Sequence, residues 1–262
     1  MIHPTAIIQP GAELDSDVEI GPHAFIGPHV RIGSGTTVGP NAVIDGWTEI
    51  GRDNRIFHLA SVGGIPQDLK YKGEQTWLRI GDRNIIREFS TLHPGTVTGD
   101  NETTVGNGNL FMAYCHVAHD CHVGNGVVMA NGATLAGHVR VDDFVILGGL
   151  CAVHQFVRIG AHSMTAICSV LLADLPPFVM CQGQPAVARS MNYEGLRRRG
   201  FSPERISAVK AMHKALYRRD LTLQAAQESI ADLRQAHPES EPDVQMMLSF
   251  LAQTSPQRGI VR

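Results

Sequence analysis

Residues 14–44 read LDSDVEIGPHAFIGPHVRIGSGTTVGPNAVI, and every sixth one is a large aliphatic: Leu14, Ile20, Ile26, Ile32, Val38 and Ile44. The lane extends back to Ile8 and Ile2 and forward to Ile50, Ile56 and Val62. After a gap the same step gives Ile80, Ile86 and Leu92. A third run, shifted by one residue, reads Val105, Phe111, Val117, Val123, Met129, Leu135, Val141, Leu147, Val153 and Ile159, slips at Thr165 and recovers at Leu171. A period of six fits neither the 3.6-residue helix nor the two-residue strand.

A second lane, two residues before each anchor, is small: Ala6, Ala12, Val18, Ala24, Val30, Thr36, Ala42, Thr48, Asn54 and Ala60. The residue after the anchor is often glycine, as at Gly21, Gly33, Gly51 and Gly148, and glycine supplies a turn without the usual steric penalty. Three six-residue strokes make one triangular turn of a parallel β-helix, with the anchor pointing inward and the small residue in a tight corner. The composition agrees. There are 27 glycines against 15 aromatics (nine Phe, four Tyr, two Trp), and a narrow aliphatic prism has little room for rings. The expected fold is all-β, a left-handed parallel β-helix of hexapeptide repeats followed by a small α-helical C-terminal domain. The handedness comes from resemblance to the hexapeptide-repeat class, which departs from the right-handed crossover rule.

Two interruptions stand out. Residues 63–79 (GGIPQDLKYKGEQTWLR) break the pattern, yet Val62 to Ile80 is 18 residues, one whole turn. Residues 94–104 form the second break and shift the phase by one residue. Such interruptions leave a rigid solenoid as external loops, either as tolerated insertions or as part of a binding face. The β-helix is expected over 1–189 with these two excursions, and the helical domain over 190–262. Ser202-Pro203-Glu204 reads as a cap followed by proline at the first helical position. Thr222 and Pro242 begin two further candidate helices, and a short one over Tyr193 to Arg199 stops at Gly200. These helices are placed to cover the open end of the solenoid, an otherwise exposed sheet edge.

Composition excludes several function classes. A net charge of −3 and a pI near 6.5 argue against a nucleic-acid coat. No apolar run approaches the roughly 18 residues of a membrane span. The opening Met1-Ile2-His3-Pro4-Thr5 lacks the regions of a signal peptide, so the cytoplasm is the expected location. Five cysteines without a CxxC pair form neither a disulfide framework nor a zinc ribbon. Cys115, Cys121 and Cys151 fall in the small corner lane and read as packing residues.

Histidine is the conspicuous polar type, with 13 copies and His116, His119 and His122 close together. A zinc site is one reading, but His116 and His122 each precede an anchor and point outward from successive flats, so they cannot share an ion within one chain. General-base catalysis is the other. Eighteen residues after His119 comes Gly137, and eighteen after Asp120 comes His138, each stacked one coil away. The repeat itself therefore gathers an imidazole, a carboxylate and a glycine N–H. That is the equipment of acyl transfer: a base near neutral pH, a group that fixes its tautomer, and a donor for an oxyanion. Farther on, Arg197, Arg198, Arg199, Arg205, Lys210, Lys214, Arg218 and Arg219 face one acid, Glu204. This run is either a solvated helix face or a patch for an acidic carrier or phosphates.

His116–Cys121 (HVAHDC), Leu135–Val139 (LAGHV), Val153–Phe156 (VHQF), Gln67–Tyr71 (QDLKY), Asn192–Phe201 (NYEGLRRRGF) and the closing Arg258–Arg262 (RGIVR) occur in order along nearly the whole chain. Together they resemble the UDP-N-acetylglucosamine O-acyltransferases that begin lipid A synthesis. The resemblance implies a homotrimer with sites between neighbouring prisms and transfer of an (R)-3-hydroxyacyl group from acyl carrier protein to the sugar 3-hydroxyl. It implies no cofactor beyond the phosphopantetheine that carries the donor, and no metal. By motif, His119 is the general base, Asp120 its partner and Gly137 the oxyanion donor. Gln67, Asp68 and Lys70 correspond to sugar and acyl contacts, and His116, His138, His154 and Gln155 to further substrate contacts. Asn192, Glu194, Arg198 and Arg199 correspond to the part that holds the nucleotide. Ile167 falls where the family gauges acyl length, and its bulk implies a shorter donor.

Two departures occur. The family's His-Arg-Gly-Thr reads His93-Pro94-Gly95-Thr96, losing a cation, and Gly-Asn reads Gly183-Gln184. The rivals are the N-acyltransferase acting later in the pathway, which carries an extra domain before its repeats, and a hexapeptide-repeat zinc hydratase.

Overall fold

From Ile8 onward each aliphatic of the six-residue lane ends a strand, and most strands are only two residues long, such as Ile7–Ile8, Phe25–Ile26 and Val43–Ile44. In the computed structural model, which describes residues 1–255 and 257–262, every third strand pairs in parallel. Ile8 lies on Ile26, Ile26 on Ile44 and Ile44 on Val62. Successive strokes therefore build three separate sheets, the faces of a left-handed parallel β-helix. The first face runs from Ile7–Ile8 to Val170–Leu171, the second from Glu13–Leu14 to Arg158–Ile159, and the third begins at Glu19–Ile20.

The anchors fill the prism: Ile26, Ile44, Leu92, Phe111 and Leu135 have no exposed surface. Polar members of the small lane are buried as a ladder. Asn54 Oδ1 accepts from the Asn84 backbone and side chain at 2.9 and 3.0 Å, Asn84 Oδ1 from Asn109 N at 2.9 Å, and Asn109 Oδ1 from Val127 N at 2.7 Å. Corner N–H groups that the sheets leave out are thus paired inside the prism.

Three expectations need correction. First, Val62 and Ile80 are not one turn apart: Val62 pairs with Leu92 on the first face, and Ile80 with Ile50 on the second. That coil is thirty residues long (80 − 50), so the first excursion is a true insertion. Second, both breaks end earlier than the sequence pattern does, because Trp77–Ile80 and Glu102–Val105 are strands of the second face. Third, apart from Gly63 with φ of 81°, the glycines after the anchors are not there for a left-handed turn. That conformation falls to other residues, among them His23, Asn41 and Asp53 with φ of 56–57°. A Cβ on Gly33 would instead lie 2.9 Å from the Gly51 carbonyl carbon, and one on Gly148 2.6 Å from that of Ala166. Close approach of the next coil requires them.

After Leu171 the strand Val179–Gly183 adds to the third face and turns back as an antiparallel strand, Ala186–Met191. Helices α1 (Tyr193–Arg198), α2 (Pro203–Tyr217), α3 (Leu223–Ala231), α4 (Leu233–Ala236) and α5 (Glu241–Ala252) follow. Ser202 caps α2 through Arg205 N and Thr222 caps α3 through Ala225 N. Phe178, Leu196, Met212, Ile230, Met247 and Leu251 form their core. The chain's end then returns to the last coil, where Asp174 N donates to Gly259 O, Val261 N donates to Asp174 O, and Val261 joins the prism core. Among the described residues no helix is long and apolar enough to cross a membrane.

Candidate active site

One corner of the prism, from the first face to the second, carries nearly everything irregular in it. The excursions leave there, between Val62 and Trp77 and between Leu92 and Glu102. The next three coils place His119-Asp120, Gly137-His138 and Gln155-Phe156 at the same corner, one tier above another. Two loops and three tiers enclose a cavity of about 810 Å³ lined by Gln67, Asp68, Lys70, Gly99, Asp100, His119, His138, Gln155 and Phe156.

Asp120, His138 and Phe156 share the left-handed conformation, with φ of 58°, 62° and 65°. Their side chains therefore stack as a column. The His138 ring lies on Phe156 at 4.4 Å and 6°, and stands edge-on to His119 at 5.1 Å and 89°. His119 Nδ1 donates to Asp120 Oδ2 at 2.8 Å, with His119 8% and Asp120 1% exposed. A carboxylate only accepts, so in the neutral imidazole this bond selects the tautomer with the proton on Nδ1 and the lone pair on Nε2.

Gly137 matters twice. A Cβ there would lie 2.6 Å from His119 Cε1, so only glycine lets the imidazole pack against it. Its N–H also has no acceptor among the described residues. Pro10, Pro28 and Pro94 occupy the same position, two residues after an anchor, in earlier coils of this corner. Proline has no N–H, so the coil does not use this donor, and at Gly137 it is available to a ligand. The same fact explains why a proline is accommodated at position 94.

Burial shapes the other histidines. The His116 ring is pushed down to about 4 by burial and then by His93, and its Nδ1 is 2.7 Å from Thr91 Oγ1. Burial lowers His138 as well. His93 Nδ1 donates to the Gly64 and Ile65 carbonyls and fixes the root of the first excursion. His154 is exposed and donates from Nδ1 to Gln155 O. His116 and His154 stand beside the cavity rather than in its lining.

The other predicted residues are elsewhere. Asn192, Glu194, Arg198 and Arg199 line a second cavity of about 740 Å³ with Ile146, Met164 and Met180, on the third face. Asn192 caps α1 through Gly195 N and donates to His162 O. Arg199 donates to Phe144 O and Gly195 O, and Glu194 pairs with Arg197. Within the basic stretch Arg205 is already committed, forked onto buried Asp243 at 2.8 and 2.7 Å. Ile167 lies in the turn from third face to first, 67% exposed, and Gln184 donates to the neighbouring Cys168 carbonyl. Cys115, Cys121 and Cys151 are buried, and burial pushes the first two up to about 12, far from thiolate chemistry.

His119, Asp120 and His138 present ligand atoms within 4.8 Å of one another, a different trio from the one the sequence suggested. The Asp120 carboxylate already accepts from His119, Thr96 and Asp100, so an ion would have to displace bonded donors. The arrangement suits proton transfer better than ligation.

Residues 174–261 match the family model described as UDP-N-acetylglucosamine O-acyltransferase, domain 2, and residues 102–137 match that of the bacterial transferase hexapeptide (six repeats). An acyl-[acyl-carrier-protein]–UDP-N-acetylglucosamine O-acyltransferase from Albidiferax ferrireducens is 67% identical over 261 residues, covering 100% of this chain and 99% of that protein. The chain belongs to this O-acyltransferase family. Solved structures agree over the same span. The UDP-N-acetylglucosamine O-acyltransferase of Moraxella catarrhalis superposes with a TM-score of 0.94 at 41% identity, and LpxA from Acinetobacter baumannii with 0.93 at 45%. Each covers 100% of this chain and 99% of the other.

The sequence alone did not single out Thr96, Gly99, Asp100 and Phe156 at this candidate site of the O-acyltransferase chain. Phe156 was accessible to the same eighteen-residue step that links Asp120 to His138. The other three lie in an excursion, where no period tells which residue meets which.

Proposed function

We propose that this protein transfers an (R)-3-hydroxyacyl group from acyl carrier protein to the 3-hydroxyl of UDP-N-acetylglucosamine, the first step of lipid A synthesis, in the cytoplasm. The observation that carries this reading is His119, held by Asp120 and packed against Gly137, whose N–H has no acceptor among the described residues. His119 Nε2 removes the sugar hydroxyl proton as the oxygen attacks the thioester carbonyl. Asp120 stabilises the imidazolium, and the Gly137 N–H faces the oxyanion. Collapse breaks the C–S bond, and the imidazolium returns its proton to the departing phosphopantetheine thiolate. The donor arrives on the carrier protein, so the reaction calls for no resident cofactor and no metal.

Gln67, Asp68, Lys70, His138 and Gln155 hold the sugar and acyl groups in the 810 Å³ cavity, with His116 and His154 at its margin. Asn192, Glu194, Arg198 and Arg199 hold the nucleotide and its phosphates. Because that second group lies on another side of the prism, the reading includes a homotrimer in which each cleft joins the two groups from neighbouring chains. Ile167 limits the length of the acyl chain.

The test is the purified enzyme with UDP-N-acetylglucosamine and hydroxyacyl carrier proteins of graded length. Ester formation that persists with a chelator and is lost in His119→Ala supports the proposal. Turnover near the parent rate in that variant, or dependence on added zinc, overturns the assignment of the base.

A further inference from the structure

We propose that the second excursion is a positioning clamp for Asp120, in which Thr96 is the main donor and Gly99 allows closure. The inference rests on the reading of His119 as base. Asp120 Oδ1 accepts from Thr96 N at 3.0 Å and Asp100 N at 2.9 Å. Oδ2 accepts from Thr96 Oγ1 at 2.7 Å and His119 Nδ1 at 2.8 Å. These four donors fill the carboxylate's acceptor sites, so its plane has a single satisfied orientation. Thr96 is 2% exposed, and its hydroxyl proton goes to Asp120, leaving its oxygen to accept from Thr98 at 3.2 Å. A Cβ on Gly99 would lie 2.3 Å from Asp120 Cγ, so the loop closes onto the carboxylate only because that residue has none.

The loop is tied down at both ends. Gly95 N donates to Trp77 O at 3.1 Å, joining its root to the second-face strand that follows the first excursion. At its outer end the Asp100 carboxylate accepts from His122 Nε2 at 2.7 Å and from Arg140 at 3.4 Å. His122 Nδ1 in turn meets Thr104 Oγ1 at 2.8 Å. The clamp is therefore held by three strands of the second face, Trp77–Ile80, His122–Val123 and Arg140–Val141, while Asp120 belongs to the corner. Since His119 Nδ1 has one acceptor, the direction of Nε2 follows the orientation of Asp120. Small misorientation of a base weighs on the chemical step rather than on ground-state binding.

A rival view makes Asp120 a staple that merely keeps the loop folded, and kinetics separate the two. Thr96→Val removes the hydroxyl and keeps shape and backbone N–H. The expected result is a fall in kcat of about tenfold to a hundredfold with KM for both substrates within about twofold. Thr96→Ser restores kcat to within about threefold of the parent. In an Asp120→Ala background Thr96→Val has no further effect, because the group it orients is gone. A parent-like kcat in Thr96→Val overturns the clamp, as does an equal fall in the Asp120→Ala background. If Thr96→Val does not fold, Gly99→Ala decides instead: its methyl displaces Asp120, and kcat is expected to drop at least tenfold with KM retained; parent-like kcat overturns the clamp. Failure of the base is distinct, since only then does His119→Ala keep turnover.

Discussion

The imidazole of His119 rests on the Cα of Gly137, so closely that a Cβ there would be 2.6 Å from Cε1 and 2.8 Å from Nε2. Gly137→Ala is therefore expected to rotate the base away from its lone-pair direction and to crowd the neighbouring N–H. Loss of kcat by about 100–1000-fold is expected, the scale of one lost oxyanion donor. Thermal stability should fall as well, because Gly137 is buried and the added methyl has to displace the buried His119 ring. Steady-state kinetics beside a melting curve checks both parts.

Ile167 lies in the turn from third face to first, and the hairpin turn that carries Gln184 is joined to it by the bond from Gln184 Nε2 to Cys168 O at 2.8 Å. If Ile167 ends the acyl groove, Ile167→Gly moves the donor optimum to longer chains. Each methylene newly buried is worth about 0.8 kcal/mol, roughly fourfold in kcat/KM. A donor series run on both proteins measures this, and an unchanged optimum removes Ile167 from the groove.

His162 is clamped between Phe144 and Phe178 at 5.0 and 5.7 Å, with Phe201 edge-on. Burial, helped by Arg199, pushes it down to about 4 against the partial opposition of Asp243. The unfolded imidazole titrates near 6.5, so between roughly pH 6.5 and 4 the unfolded state binds the extra proton. Stability is therefore full above that window and falls on acidification through it. His116 contributes in the same direction. His162→Phe should flatten the decline in Tm between pH 7.5 and 5, and parallel curves would refute the link.

Arg205 and Asp243 are unequal partners. Asp243 has 1% of its side chain exposed and Arg205 has 32%. Removing the arginine strands a buried carboxylate, whereas removing the aspartate leaves a cation with access to water. Arg205→Ala is expected to lose about 3 kcal/mol and Asp243→Ala clearly less. The Arg205 guanidinium also stacks over Phe201 at 3.8 Å, which adds to the first loss. Denaturant titration orders the two, with kcat of the folded protein retained in both.

The period of six was enough to place the anchors, the small corners, and His119 over Gly137. A helix of constant rise turns an offset of eighteen residues into contact, so neighbours in space follow from subtraction. The caps at Ser202 and Thr222 were equally legible, because a cap depends on a few adjacent residues. Other features were settled only by tertiary structure. Val62 and Ile80 are eighteen apart and stand on different faces, because the inserted residues lie outside the prism. Gly33 and Gly148 are set by the backbone of the next coil rather than by their own φ. Asn192 and Arg199, read as nucleotide contacts, and Arg205, read as part of a solvated face or an anion patch, are first of all bonded to their own chain. Thr96 reaches Asp120 across 24 residues through an aperiodic loop. Periodic contacts are written in the sequence because each repeat meets its copy; contacts of the excursions and the helical domain depend on side chains meeting across unrelated stretches, which only packing decides.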